Sequence, residues 1–292
     1  MYSAISANKR NTVLIMAVFV GIIGALGWAI SYYYGNRSIF TIVLVVAAIY
    51  ALIQYFIASK LAVAMTGAQE IQKSDNPELW RVVENLAITE GMPMPKVYVI
   101  DDPAPNAFAT GRDPKHALVG VTTGLMDIMD KRELTAVMAH EISHVKNYDI
   151  RVSMIAFGLV SAIGLIADMA MHMLFFGGGS DNKNSNPLFL VIGIVVIILT
   201  PILAAMVQMA VSRQREYLAD ASGAMTTRDN EGLAMALGKL RDYGRPMQKQ
   251  HSSTANLFMS NPLRPGFFSG LFSSHPPLEK RIERLRSNIG KF

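Results

Sequence analysis

Long uncharged blocks alternate along the chain with stretches that hold nearly all of its charge. Thr12 to Tyr34 runs 23 residues without a charged side chain, and Ser38 to Ala58 is a second such run. Each exceeds the ~20 residues a helix needs to cross a bilayer. Gly35-Asn36-Arg37 between them leaves room only for a tight hairpin. The first block reads as an uncleaved helix. Its apolar core is too long for a signal peptide, no small-residue cleavage site follows, and a second span comes at once. Further on, Val152 to Ala167 is uncharged before Asp168 and His172 interrupt it, and Leu188 to Ser212 is uncharged with Pro201 inside. A membrane helix tolerates such a proline as a kink. Gly177 to Pro187, rich in Gly, Ser and Asn, joins this second pair. The pattern predicts two membrane hairpins and about four transmembrane helices.

The intervening stretches have the patterning of folded, water-exposed chain. From Pro77 to Glu90, Leu79, Val82, Val83, Leu86 and Ala87 recur at the spacing of an amphipathic helix. Lys96 to Ile100, Ala107 to Thr110 and Ala117 to Val121 read as short strands. Asp130-Lys-Arg-Glu133 has the form of a capping box and opens a helix that runs to about Asn147. Arg213 to Ala224, Asp229 to Tyr243 and Pro276 to Asn288 read as helices. Arg245 to Ser274 is irregular, with Leu257, Phe258, Phe267 and Phe268 expected on its surface. The chain therefore divides into a membrane hairpin (1–58), a first catalytic part (59–151), a second membrane hairpin (152–212) and a second catalytic part (213–292).

Composition agrees with a membrane protein. Of 292 residues 51% are hydrophobic and only 17% charged, against about 25% charged in a soluble domain. The net charge of +5 is not gathered into a basic stripe, which argues against nucleic acid as a partner. Lys9, Arg10, Lys60, Arg132, Lys146, Arg151, Arg213 and Arg215 flank the spans on one side, while the hairpin turns carry only Arg37 and Lys183. The positive-inside rule puts both termini and both soluble parts in the cytoplasm. The absence of cysteine leaves His, Asp and Glu as the donors for any transition metal.

His140-Glu141-Ile142-Ser143-His144 fits H-E-x-x-H on a predicted helix. Residues four apart share a helical face, so both imidazoles reach one ion, and zinc suits such a donor set. Glu141, next to His140, is placed to act as a general base on water. Taken alone the five residues also fit a solvated helix surface. A second motif changes the balance. In Arg213-Gln-Arg-Glu216-Tyr-Leu-Ala-Asp220, Glu216 supplies a third ligand, and Asp220, four residues on, accepts a hydrogen bond from a ligating imidazole. The alternative for this pair is an exposed face salted to Arg213 and Arg215. A membrane hairpin between His144 and Glu216 returns the chain to the side it left. Both groups then emerge close to one face of the bilayer.

Asn106-Ala-Phe-Ala-Thr-Gly111, His140 to His144 with Asp149 following, Arg215-Glu-Tyr-Leu-Ala-Asp220 and His275-Pro-Pro277 stand in this order behind two N-terminal spans. This ordered set resembles the HtpX heat-shock membrane proteases, relatives of the CAAX prenyl endopeptidases, over nearly the whole chain. The resemblance implies an α-helical membrane protein carrying a cytoplasmic α+β zincin domain of the gluzincin kind. It also implies one Zn2+ per chain, held by His140, His144 and Glu216, with Glu141 as base and Asp220 behind a ligand. The location it implies is the bacterial inner membrane, and the work is membrane-protein quality control under stress, with membrane-protein substrates and the bilayer as partners. Asn106 to Gly111 would be an edge strand approached by substrate, or an ordinary loop. His275 is either an oxyanion donor or a capping histidine. Asp149 either supports a ligand or ends a helix. Arg281 is a candidate partner for a buried carboxylate, and Asp168 with His172 reads as an interfacial pair. Self-cleavage stays open. Two rivals remain. A protease with its zinc inside the bilayer is opposed by Lys131, Arg132, Glu133 and Lys146 around the motif. A non-catalytic scaffold is opposed by the intact Glu141.

Overall fold

A computed structural model describes residues 2–161, 213–249, 251, 253–263 and 275–287. Helices α1 (Tyr2–Tyr33) and α2 (Arg37–Thr66) form the N-terminal hairpin. Asn36 caps α2 by accepting from the Ser38 N–H at 3.0 Å, and Gly67 ends it in the left-handed conformation at φ 72°. Both helices outrun the uncharged blocks. Helix α1 starts ten residues before Thr12 and α2 ends eight residues after Ala58, because Lys9, Arg10 and Lys60 continue the helix beyond the apolar run.

The polarity of this hairpin is inverted relative to a soluble helix pair. The buried face of α2 carries Ala47, Ala51, Gln54, Ala58, Ala62 and Thr66. Its exposed face carries Ile42, Val46, Leu52, Phe56 and Ile57. Small residues inside and large apolar ones outside are what a lipid solvent selects. Both helices are long and apolar enough to cross a membrane, with mean hydropathy of 2.3 and 2.4. A further helix, α6, has its described part at 149–161 and packs against them through Val152, Ile155, Ala156 and Leu159. The remainder of the second hairpin, with Asp168, His172 and Pro201, lies outside the described residues.

The first soluble part is a four-stranded sheet under helices. Strand β1 (Gln69–Glu70) precedes α3 (Pro77–Thr89), followed by β2 (Lys96–Ile100), β3 (Ala107–Gly111) and β4 (Ala117–Thr122). The order is β1-β2-β4-β3, with β2 parallel and β3 antiparallel to β4. The two polar residues of β1 carry no alternating pattern, which is why the sequence does not announce that strand. Gly120 lies under the Phe108 ring, and a Cβ there would stand 2.2 Å from a ring carbon. After the short α4 (Thr123–Ile128) comes α5 (Lys131–Lys146), whose capping box is formed as expected. The Glu133 N–H donates to Asp130 at 2.8 Å and the Asp130 N–H to Glu133 at 2.9 Å. Helices α7 (Arg213–Thr227), α8 (Asn230–Tyr243) and α9 (Leu278–Ser287) complete the second part. Leu79, Val83, Val119, Val137, Leu233 and Leu237 join sheet and helices in one core.

Two expectations are corrected. Leu257 and Phe258 are 6% and 1% exposed rather than on the surface. Ala255–Leu257 forms a 3-10 turn, after which Phe258 bridges Phe108 in antiparallel fashion with ring centroids 5.4 Å apart. In consequence β3, although last in the sheet, is not a bare edge. The Met259 N–H donates to the Ala107 carbonyl at 2.8 Å, and all five residues of β3 are buried. The irregular segment thus acts as a strap. Leu257 packs with the membrane helices, Phe258 with Phe108 and Met247, and Met259 with the core of the soluble part. Phe267 and Phe268 lie outside the described residues. Truncating the strap's anchor by Phe258→Ala is expected to cost about 3–5 kcal/mol, read as a lower unfolding midpoint of the detergent-solubilised protein.

Candidate metal centre

Helix α5 turns His140 and His144 to one side, one helical turn apart. Helix α7 crosses it closely enough to bring Glu216 against both. Gly223 makes the crossing possible, since a Cβ there would stand 2.9 Å from the His140 backbone nitrogen. The two Nε2 atoms are 3.1 Å apart, His144 Nε2 lies 3.4 Å from Glu216 Oε1, and His140 Nε2 lies 3.7 Å from Glu216 Oε2. Ligands ~2.0–2.1 Å from a tetrahedral ion are spaced ~3.3 Å from one another. The three donors match that spacing.

Each imidazole is oriented by a carboxylate behind it. Asp220 stands 3.0 Å from His140 Nδ1 and Asp149 stands 3.0 Å from His144 Nδ1. An Nδ1–H committed to a carboxylate leaves the Nε2 lone pair to face the other ligands. Asp220 is itself gripped by Arg281 of α9, with Nε donating at 2.9 Å and Nη2 at 2.7 Å. Burial pushes the Asp220 carboxyl up, but Arg281 outweighs it and holds the group well below the usual carboxylate range.

Glu216 is 2% exposed, and its Oε2 makes no hydrogen bond, although Arg281 Nη1 stands 3.6 Å and His275 Nε2 3.5 Å from it. A buried carboxylate oxygen without a donor is costly, and a cation facing it and two imidazole lone pairs removes the cost. The donor set and the orphaned oxygen therefore fit a divalent metal. His144 points the same way. Burial favours its neutral form, but Glu216 and Asp149 outweigh burial and hold its pKa at about 9. A cation seated between the ligands displaces that proton.

Glu141 is 3% exposed and lines the same cleft. Burial pushes its carboxyl up to about 7, against the pull of His144 and Arg281. A group so poised accepts and returns a proton near neutrality. His275 lines the cleft with Nε2 3.5 Å from Glu216 Oε2. Burial draws it down to about 4, so it is a neutral imidazole at pH 7.

The structure thus brings together His140, Glu141, His144, Glu216, Asp220 and His275. It also resolves two open alternatives, because Asp149 supports His144 and Arg281 pairs with a buried carboxylate. Asn106 is not brought to the cleft. Its amide donates to the Ser260 carbonyl at 2.8 Å and accepts from the Ser260 N–H at 3.0 Å, so it clamps the strap. One residue escaped the sequence reading. Asn256, on the strap, lines the cleft while both polar atoms of its buried side chain lack partners. A lone asparagine in an irregular segment carries no periodic or motif signal.

Comparison with known proteins identifies the family. The model of Peptidase family M48 matches residues 73–289. The chain is 55% identical over 292 residues to a protease HtpX homolog of Tropheryma whipplei (strain Twist), covering 100% of both chains. It is 44% identical to a protease HtpX homolog of Ligilactobacillus salivarius (strain UCC118), covering 98% of this chain and 99% of the other. The crystal structure of S. mikatae Ste24p is similar in fold, with a TM-score of 0.53 at 20% identity, covering 98% of this chain and 67% of that one.

A methyl group at the helix crossing tests how tightly the ligands depend on it. Gly223→Ala is expected to lower stability by about 1–3 kcal/mol and to reduce bound metal, measured by thermal unfolding and elemental analysis of the purified protein.

Proposed function

The chain belongs to peptidase family M48 and is a membrane metalloprotease, and on that premise we propose that its metal is zinc and that it cleaves cytoplasmic segments of misfolded or damaged membrane proteins. The observation that carries the reading is the buried triangle of His140 Nε2, His144 Nε2 and Glu216, with Glu141 beside it. Three His and carboxylate donors with no thiolate favour zinc and leave a fourth position for water or substrate.

In this reading His140, His144 and Glu216 hold the ion, and Asp220 and Asp149 keep the imidazoles in the ligating tautomer. When bound, zinc supplies a Lewis acid that polarises the peptide carbonyl and acidifies a water. Glu141 takes a proton from the attacking water and returns it to the leaving amine. His275 presents an N–H to the oxygen that gains charge in the transition state. Asn256, with a donor and an acceptor both unpartnered, hydrogen-bonds the main chain of a bound peptide. Main-chain recognition tolerates many sequences, as a quality-control protease requires.

Placement at the membrane surface is supported by a belt of cations on aromatic rings around the site. Lys9 and Arg151 lie 5.0 and 4.8 Å from the centroid of Tyr148, Arg151 lies 5.7 Å from that of Tyr55, and Arg112 lies 5.3 Å from that of Phe56. Aromatic rings with Lys and Arg mark the level where lipid meets water. Tyr148 sits four residues past His144, so the metal centre lies beside that level. The bias of Lys and Arg supports the cytoplasmic side of a bacterial inner membrane. A site there selects loops and tails that reach the bilayer surface, its own included, and has no use for nucleic acid.

Glu141→Gln is expected to keep its zinc and lose at least ~10²-fold in kcat, while Glu216→Ala loses zinc and activity together. Both are measured on detergent-purified protein with an unfolded soluble substrate and a membrane-tethered one. Equal cleavage of the two substrates would remove membrane proximity as the selector. Full cleavage activity in Glu141→Gln would mean that a group other than Glu141 serves as the base.

A further inference from the structure

We propose that Asn8, on the first membrane helix, is a positioning residue of the metal centre, so that the N-terminal hairpin is a working part of the site as well as its anchor. The inference rests on the reading of His144 as a metal ligand. Asn8 is 3% exposed. Its Nδ2 donates to Asp149 Oδ1 at 2.7 Å and to the Asn147 carbonyl at 2.8 Å. Asp149 in turn receives the His144 Nδ1–H on its other oxygen at 3.0 Å. One amide group therefore joins α1 to a ligand 136 residues away through a single carboxylate.

The turn that Asn8 grips needs holding. Tyr148 lies at φ 62°, a conformation a bulky L-residue adopts at a cost. That left-handed residue lies in the two-residue turn between α5 and α6, immediately before Asp149, which contacts His144. Asn8 fixes the residues on both sides of it, and Lys9 stacks on the Tyr148 ring. Among the described residues the other charged groups facing Asp149 are His144 and Arg215, the latter with Nη1 3.8 Å from Oδ1. Arg215 is too distant to hydrogen-bond that oxygen well, which leaves Asn8 as the short donor to Oδ1. Without it Asp149 is free to rotate toward Arg215 and release the imidazole.

Asparagine is also the apt residue at this level. At an interfacial helix end its amide supplies a donor without a charge to desolvate, and its second N–H is used on the Asn147 carbonyl.

The test uses full-length protein in detergent, loaded with zinc alone. Zinc release to a chelator is timed for wild type, Asn8→Leu, which keeps the size and removes the donor, and Asn8→Asp, which keeps the shape and sets a second carboxylate against Asp149. Loss of a partner behind a metal ligand typically costs 10–100-fold in affinity. Release is expected to quicken about tenfold in both variants, with the Co2+-substituted absorption spectrum altered and kcat lowered while KM holds. In an Asp149→Asn background the same Asn8 changes are expected to alter release less than about twofold, since coupled residues are non-additive. A purely structural Asn8 would lower the unfolding midpoint but leave release rate and spectrum unchanged, and that result overturns the inference. Glu216→Ala runs alongside. If that variant keeps its zinc, the metal reading fails and carries this inference with it. If it loses zinc while the Asn8 variants release at the wild-type rate, only the role of Asn8 falls.

Discussion

Two imidazole nitrogens and a carboxylate face one another across less than 4 Å, an arrangement that is costly to bury unless a cation joins them. Water would satisfy each group separately, and burial without water costs energy for each. The rest of the structure answers that constraint. Asp220 and Asp149 set the tautomers, and Arg281 neutralises Asp220. Gly223 lets α7 approach α5 closely enough for Glu216 to close the triangle. A divalent cation then relieves at one point the repulsion and desolvation stored by six side chains.

The supports come from both solvents in which the protein lives. Arg281, the counter-ion of Asp220, is carried by α9 in the soluble part, where it is fully buried. Asp149 begins a helix that packs against the inverted hairpin of α1 and α2. The strap residues Leu257, Phe258 and Met259 enter three separate clusters, one of them among the membrane helices. The apolar hairpin and the polar part of the chain both contribute supports to the site, and neither completes it alone.

Much of this was legible in the sequence where a local period or cap carries the information. The two N-terminal apolar helices, helix α3, three of the four strands, the capping box of α5 and the convergence of His140, His144 and Glu216 all follow from spacing. What spacing does not carry is what a residue meets across the fold. Leu257 and Phe258 look exposed in an irregular stretch because burial there is decided by distant partners, the N-terminal hairpin for Leu257 and Phe108, some 150 residues earlier, for Phe258. Asn106 fits an edge-strand motif, yet its amide is consumed by Ser260. Asn256 has no pattern at all, and its meaning is the absence of a partner. Asp149 and Arg281 were named with their alternatives open, since an ion pair between distant helices is decided by packing.

The distances along the chain between cooperating residues have a consequence for how the enzyme comes into being. His140 depends on Asp220, and Asp220 on Arg281, a further 61 residues along the chain. Contacts of such separation close late in folding. A ribosome-bound chain that has exposed the H-E-x-x-H helix still lacks the third ligand, the counter-ion of Asp220 and the strap. The site is therefore completed only by packing between distant helices, so the geometry needed to cut arrives with the tertiary fold rather than with the H-E-x-x-H helix.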